Sequence, residues 1–269
     1  MTTIRDDAQP DPAASIDPAS IDHASIDIWL TFLDDAHDPS LLDAYRTLMS
    51  PTEREQQQRF VFEKDRHRYL VTRALVRTAL SQYASVPAAR LAFVANAYGK
   101  PALADAPPDL AFNVSHAGNL VVLAVARGGA LGVDTEGVES RVAVDDLADR
   151  YFAREEADEL RTQPVERRQR RFFEYWTLKE SYIKARGMGL SLPLDRFGFR
   201  FPHAAGVSLW THADVDDAPQ RWRFSQFAAP GHLIALCAES AGPLAVQARR
   251  CVPLAHAAPF ALSVLRASD

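Results

Sequence analysis

Apolar positions along this chain recur in two alternating periods. Ile26, Ile28, Leu30 and Phe32 alternate with other residues and predict a strand, the first ordered element. Residues 52–83 follow a helical pattern, and strand-like segments are expected near 91–95, 111–114 and 119–126. The succession then returns, with helical residues from about 145 to 186 before strand-like segments near 197–201, 207–211, 221–228 and 232–238. Each half reads as a long helix followed by a small, mainly antiparallel sheet. This places the chain in the α+β class, with an N-terminal half at 26–130 and a C-terminal half at 131–242. Residues 1–25 are rich in Asp, Ala, Ser and Pro, and Ile16, Ile21 and Ile26, five apart, fit neither period, so a flexible tail is expected at 1–25. Residues 243–269 carry Pro243, Pro253 and Pro259 and form a C-terminal extension without a clear pattern.

The second long helix contains an anomaly. Over residues 173–184, Phe173, Trp176 and Ile183 share a face with Glu180, while Tyr175, Leu178 and Tyr182 form a second apolar strip opposite. A helix apolar on two sides is packed on two sides, and an unpaired buried carboxylate costs several kcal/mol. Glu180 therefore needs a cation, either Lys184 one turn later or a bound metal. Gly187, Gly189 and Pro193 are expected to end the helix and shape the following turn.

Further carboxylates occur at Asp134 and Glu136, after the apolar run 120–126 and a Gly128-Gly129 turn that together read as a two-stranded hairpin. Alternate strand residues share a face, which puts these like charges roughly 7 Å apart. A divalent ion would relieve their repulsion, and hard oxygen donors without Cys or His favour Mg²⁺ or Mn²⁺. The alternative is an exposed acidic strand face. Gly132, on the same face, leaves room for a ligand's close approach.

Ser115 and His116 lie in Phe112-Asn113-Val114-Ser115-His116-Ala117-Gly118, read as a turn before a strand beginning at Asn119. Adjacent residues point to opposite sides of an extended backbone, which argues against a Ser/His nucleophile pair. As a turn, the segment could present both side chains to an anion. Arg66, Arg68, Arg73 and Arg77 lie on a helical stretch without acidic residues between 66 and 77, a one-sign face suited to a polyanion. A plain solvated basic face is the other reading for Arg66 and Arg77.

Composition narrows the function. An apolar content of 47% in 269 residues suffices for a sizeable core, and a net charge of −5 argues against a general nucleic-acid binder. Residues 161–186 carry eight basic and three acidic side chains, which would attract an acidic partner. Cys237 and Cys251 form neither a CxxC nor a disulfide framework, so a reducing cytoplasm is expected. With no signal peptide and no apolar run near the roughly 20 residues of a membrane span, a soluble protein away from membranes is expected.

Four ordered blocks carry a family likeness: Tyr98-Gly99-Lys100-Pro101, Phe112-Asn113-Val114-Ser115-His116, Gly132-Val133-Asp134-Thr135-Glu136, and Trp176-Thr177-Leu178-Lys179-Glu180-Ser181-Tyr182-Ile183-Lys184. Together, and continuing through residues 187–194, they resemble the 4′-phosphopantetheinyl transferases of the larger, surfactin-synthetase-activating type. The resemblance implies two halves related by a pseudo-twofold, with coenzyme A bound between them. It implies transfer of the phosphopantetheine arm of coenzyme A to a serine of an apo acyl or peptidyl carrier protein, in fatty-acid, polyketide or nonribosomal peptide synthesis, by a monomer. By residue match, Asp134, Glu136 and Glu180 would hold Mg²⁺, with Glu180 secondarily the general base and Lys184 contacting phosphate oxygens. Arg68, Tyr69 and Arg73, together with Lys100, Ser115 and His116, would hold the nucleotide end of coenzyme A. One departure stands out: two family lysines are replaced by Glu53 and Gln56. The same acidic trio would also suit a Mg²⁺-dependent phosphodiesterase or nuclease, and a coenzyme A-binding scaffold without turnover is the non-enzyme alternative.

Overall fold

A computed structural model describes residues 25–105, 107, 109–140 and 142–268. Apart from Ser25, the tail expected at 1–25 lies outside the described residues.

The first half runs β1 (Ser25–Phe32), α1 (Pro39–Leu48), α2 (Pro51–Gln58), α3 (Glu63–Ala84), β2 (Phe93–Ala95), β3 (Pro101–Leu103), β4 (Leu110–Ala117) and β5 (Leu120–Arg127). The second runs β6 (Leu131–Gly137), α4 (Val144–Tyr151), α5 (Arg154–Thr162), α6 (Val165–Arg186), β7 (Phe197–Arg200), β8 (Ser208–Thr211), β9 (Trp222–Ala229) and β10 (His232–Glu239). The chain closes with β11 (Ala245–Val252), β12 (His256–Pro259) and β13 (Ser263–Ala267). One topology occurs twice. The spatial order β1-β5-β4 in one sheet is matched by β6-β10-β9 in the other, each with a long helix and a small hairpin, β2-β3 or β7-β8.

Four layers result. Ile26, Ile28 and Leu30 of β1, with Val122 and Ala124 of β5, pack against Val133, Ile234 and Leu236 of the second sheet. The outer face of the first sheet, through Trp29, Val121 and Leu123, receives Leu75, Val76 and Leu80 of α3. The outer face of the second receives Phe173, Leu178 and Tyr182 of α6 beside Leu233 and Ala235. The two apolar strips of α6 are both buried, as the sequence pattern requires. Gly187 ends this helix in the left-handed region at φ 64°, where a residue without Cβ carries no steric penalty.

Several expectations are corrected. The segments 120–126 and 131–136 are not a hairpin: β5 lies between β1 and β4, while β6 pairs with β10. Gly128 and Gly129, at φ 76° and 68°, carry the chain from one sheet to the other. The apolar run in β5 reflects burial on both faces of a central strand, and burial does not name a partner. Residues 112–117 are strand rather than turn. The continuous helix read over 145–186 is three helices, the last set off from the second by Pro164, which stands at its N-cap and lacks the amide proton a helix interior needs. Within residues 243–268 the chain completes both sheets: β11 pairs in parallel with β1, and β13 lies against β9. Among the described residues no helix is long and apolar enough to cross a membrane.

Candidate active site

Asp134 and Glu136 share with Gly132 the face of β6 that meets α6. A Cβ on Gly132 would collide with the Ser181 carbonyl and the Ala185 amide, so the missing side chain admits the helix backbone, not a ligand as the sequence suggested. This close seating brings Glu180 and Lys184 beside Asp134. Lys184 Nζ donates to Asp134 Oδ1 at 2.6 Å and to Ser115 Oγ at 2.9 Å, and Ser115 Oγ donates to the same Asp134 oxygen at 2.9 Å. The cation that Lys184 offers thus goes to Asp134 rather than closing an i,i+4 ion pair with Glu180 within the helix.

The three carboxylates sense one another. Burial, then the charges of Asp134 and Glu180, push Glu136 up to about 7. Burial and Asp134 likewise raise Glu180, against the opposing pull of Lys184. Asp134, only 4% exposed, is raised by burial in spite of Lys184. Three raised acids facing one lysine make a site short of positive charge.

The basic wall is smaller than the sequence suggested. His116 lies on β4, where crowding by its neighbours, then the charges of Arg68 and Lys184, lower its pKa. Arg68 pairs with Asp65 at 2.8 Å, so this helix supplies a counter-ion of its own just before the basic run. Arg73 does not present a free charge: it pairs with Glu53 of α2 and lies over the Phe93 ring at 4.5 Å. Arg77, read as a possible solvated cation, is 1% exposed and bound to the same Glu53 at 2.8 Å. Tyr69 stacks at an angle on Phe60, with 5.5 Å between ring centroids. Lys100 is turned toward the end of α6 and donates to the carbonyls of Leu131 and Ala185 at 2.9 and 3.2 Å. The structure therefore gathers Asp134, Glu136, Glu180, Lys184, Ser115, His116 and Arg68 in one region. It places Arg73 and Lys100 in bracing contacts instead.

Comparison with known proteins gives this geometry a family. Residues 37–127 match the model described as 4′-phosphopantetheinyl transferase, N-terminal, and residues 130–237 match that of the 4′-phosphopantetheinyl transferase superfamily. The chain is 32% identical to 4′-phosphopantetheinyl transferase Sfp of Bacillus subtilis over 73% of its own length and 84% of that protein. It belongs to the 4′-phosphopantetheinyl transferases. Similarity to 4′-phosphopantetheinyl transferase HetI of Nostoc is 36% identity over 62% of this chain and 70% of that one. The solved holo-[acyl-carrier-protein] synthase of Thermotoga maritima overlays 42% of this chain and 64% of its own, at 20% identity and a TM-score of 0.35.

In this transferase several positioning residues escaped the sequence reading. Asn113 Oδ1 accepts from the Val133 amide at 2.8 Å and so fixes the edge of β6 against β4. The Trp176 side chain lies beside Glu136 and opposes the rise of its pKa. Lys179, fully buried, pairs with Glu156 at 2.6 Å and donates to the Leu194 and Phe197 carbonyls, holding the segment after α6 against the helix. The signal for Lys179 was available, since a charge on a helix packed on two sides demands a partner, but nothing local named Glu156.

Whether the trio suits a metal is tested by its own atoms. Among the described residues no three His, Cys, Asp or Glu side chains are already drawn together as a metal-holding group. Asp134 Oδ2, however, is buried without a hydrogen-bond partner, and Glu136 and Glu180 face it with raised pKa values. An orphaned carboxylate oxygen beside two under-neutralised carboxylates is a donor set of the kind Mg²⁺ accepts.

Proposed function

We propose that this transferase moves the 4′-phosphopantetheine arm of coenzyme A onto a serine of an apo carrier protein. The serine oxygen forms a bond to the phosphorus on the pantetheine side of the pyrophosphate. The phosphorus–oxygen bond to the nucleotide breaks, and adenosine 3′,5′-bisphosphate departs with the electron pair. The observation that carries this reading is Asp134, held by Lys184 with its Oδ2 left without a partner, and coupled by charge to Glu136 and Glu180.

Asp134, Glu136 and Glu180 would hold Mg²⁺, or Mn²⁺ in its place. The ion would supply charge neutralisation at the pyrophosphate. Lys184, between Asp134 and Ser115, brings a further positive charge to the phosphate oxygens once an ion relieves it of Asp134. Ser115, His116 and Arg68 offer donors to the nucleotide's phosphates, and Tyr69 lies on the same helix as Arg68. Glu180 serves first as ligand and only secondarily as acceptor of the serine proton, because coordination lowers a carboxylate's basicity. All the residues of the site come from one chain, which suits a monomer. Two buried, unpaired thiols, Cys237 and Cys251, suit the reducing cytoplasm.

The test incubates the full chain with coenzyme A, Mg²⁺ and an apo carrier domain and reads the carrier's intact mass. Addition of the arm, lost in Asp134→Ala and Glu180→Gln, is expected. Hydrolysis of coenzyme A without addition to the carrier would overturn the reading in favour of a phosphodiesterase. Binding without turnover would overturn it in favour of a scaffold.

A further inference from the structure

A second basic cavity lies at the opposite end of α6. It encloses about 300 Å³ and is lined by Gln163, Arg167, Arg170, Arg171, Glu174 and Arg266. Arg170 and Glu180 are ten residues apart on α6, so the cavity lies about 15 Å along the helix from the acidic trio.

Three guanidinium groups converge there on one carboxylate. Arg266 Nη2 donates to Glu174 Oε2 at 3.0 Å, Arg171 Nη1 approaches the same oxygen at 3.1 Å, and Arg170 Nε lies 3.4 Å from Oε1. Arg167, on the rim, has no ion pair among the described residues. Glu159, 3.6 Å from Arg171, is the second acid. Four arginines therefore face two carboxylates, an excess of two positive charges. Arg266 carries the argument furthest. Its side chain is 9% exposed, its Nε is buried without an acceptor, and its guanidinium lies 3.9 Å from the Phe201 ring centroid. Burial, and the charges of Arg171 and Arg170, lower its proton affinity against the pull of Glu174. Such a group is built to be finished by an anion.

We propose that this cavity binds a phosphate-class dianion. Two negative charges would balance the excess, and a tetrahedral oxyanion presents acceptors in several directions at once, as guanidinium groups arriving from α6 and β13 require. A single carboxylate would leave one positive charge uncompensated. The site does not depend on the transfer reaction or on the metal.

The test titrates the full chain with inorganic phosphate, by calorimetry and by melting temperature, against sodium chloride at matched ionic strength. Saturable binding and a rise of about 5–10 °C at a hundredfold excess over the dissociation constant are expected for the native chain. Arg167→Gln/Arg170→Gln, which alters only exposed side chains, is expected to weaken phosphate binding at least about tenfold, the loss of one or more charge-assisted contacts. Lys184→Ala is expected to leave it unchanged. Stabilisation no greater than with chloride, or insensitive to the double substitution, would overturn the proposal. So would its loss in Lys184→Ala, which would move the anion to the acidic cleft.

Discussion

Lys184 on α6 holds Asp134 on β6 through a 2.6 Å charge-assisted hydrogen bond, across a helix–strand contact that exists only because position 132 has no side chain. The pair joins residues fifty positions apart in sequence and gives the most buried acid of the cluster its one ion-pair partner among the described residues. Glu136 and Glu180, whose pKa values burial raises first, rise further beside the charge of Asp134.

Removing that cation should expose the cost of burying Asp134. Lys184→Met is expected to destabilise the fold by about 1–3 kcal/mol, a range that allows for the partial exposure of the lysine. Adding Asp134→Asn should recover most of the loss, while phosphopantetheine transfer stays absent in both variants. Urea unfolding of the two proteins checks the coupling, and equal stability of the single and double variants would contradict it.

Gly132→Ala should damage the site through the backbone. Its new methyl would meet the Ser181 carbonyl and the Ala185 amide, forcing α6 from β6. A stability loss of about 2–4 kcal/mol is expected, as for overpacking against immovable backbone, with transfer reduced at least a hundredfold. A melting curve and the carrier mass assay read both effects.

Replacing Glu53 by lysine should not strengthen nucleotide binding here. Glu53 neutralises Arg73 and the fully buried Arg77, and it also completes the capping box that starts α2. Glu53→Lys strands two cations and adds a third, so a loss of about 3–5 kcal/mol is expected. A variant as stable as the native chain would show that the arginines have other partners.

Lys100 gives a pH signature. Burial lowers its pKa from 10.5 to about 8. Between those values the unfolded chain holds the proton more tightly than the folded one, so the lysine's contribution to stability rises as pH climbs from about 8 toward 10.5. The stability advantage of the native chain over Lys100→Met should therefore be larger at pH 10 than at pH 7.5, as measured by urea unfolding at both. A gap that does not change with pH would place the amine in solvent.

By itself the sequence determined most of the elements and marked the acids of the candidate site. Periodicity marked the long helices and most strands, Gly187 marked the end of α6, and Glu180, Asp134 and Glu136 stood out as acids where carbon or spacing argued against them. These are local properties, because the face a side chain occupies depends on its neighbours within a turn or a pleat. Only the tertiary structure decided who meets whom. It separated β5 from β6, and it set the final strands against β1 and β9, where Thr31 donates to the Cys251 carbonyl 220 residues away. It gave Asp134 to Lys184, Arg73 and Arg77 to Glu53, and Lys100 to two carbonyls. Strand partnership and ion pairing are settled by long-range contacts. A residue's type states that it needs a partner, while the packed fold chooses which one reaches it.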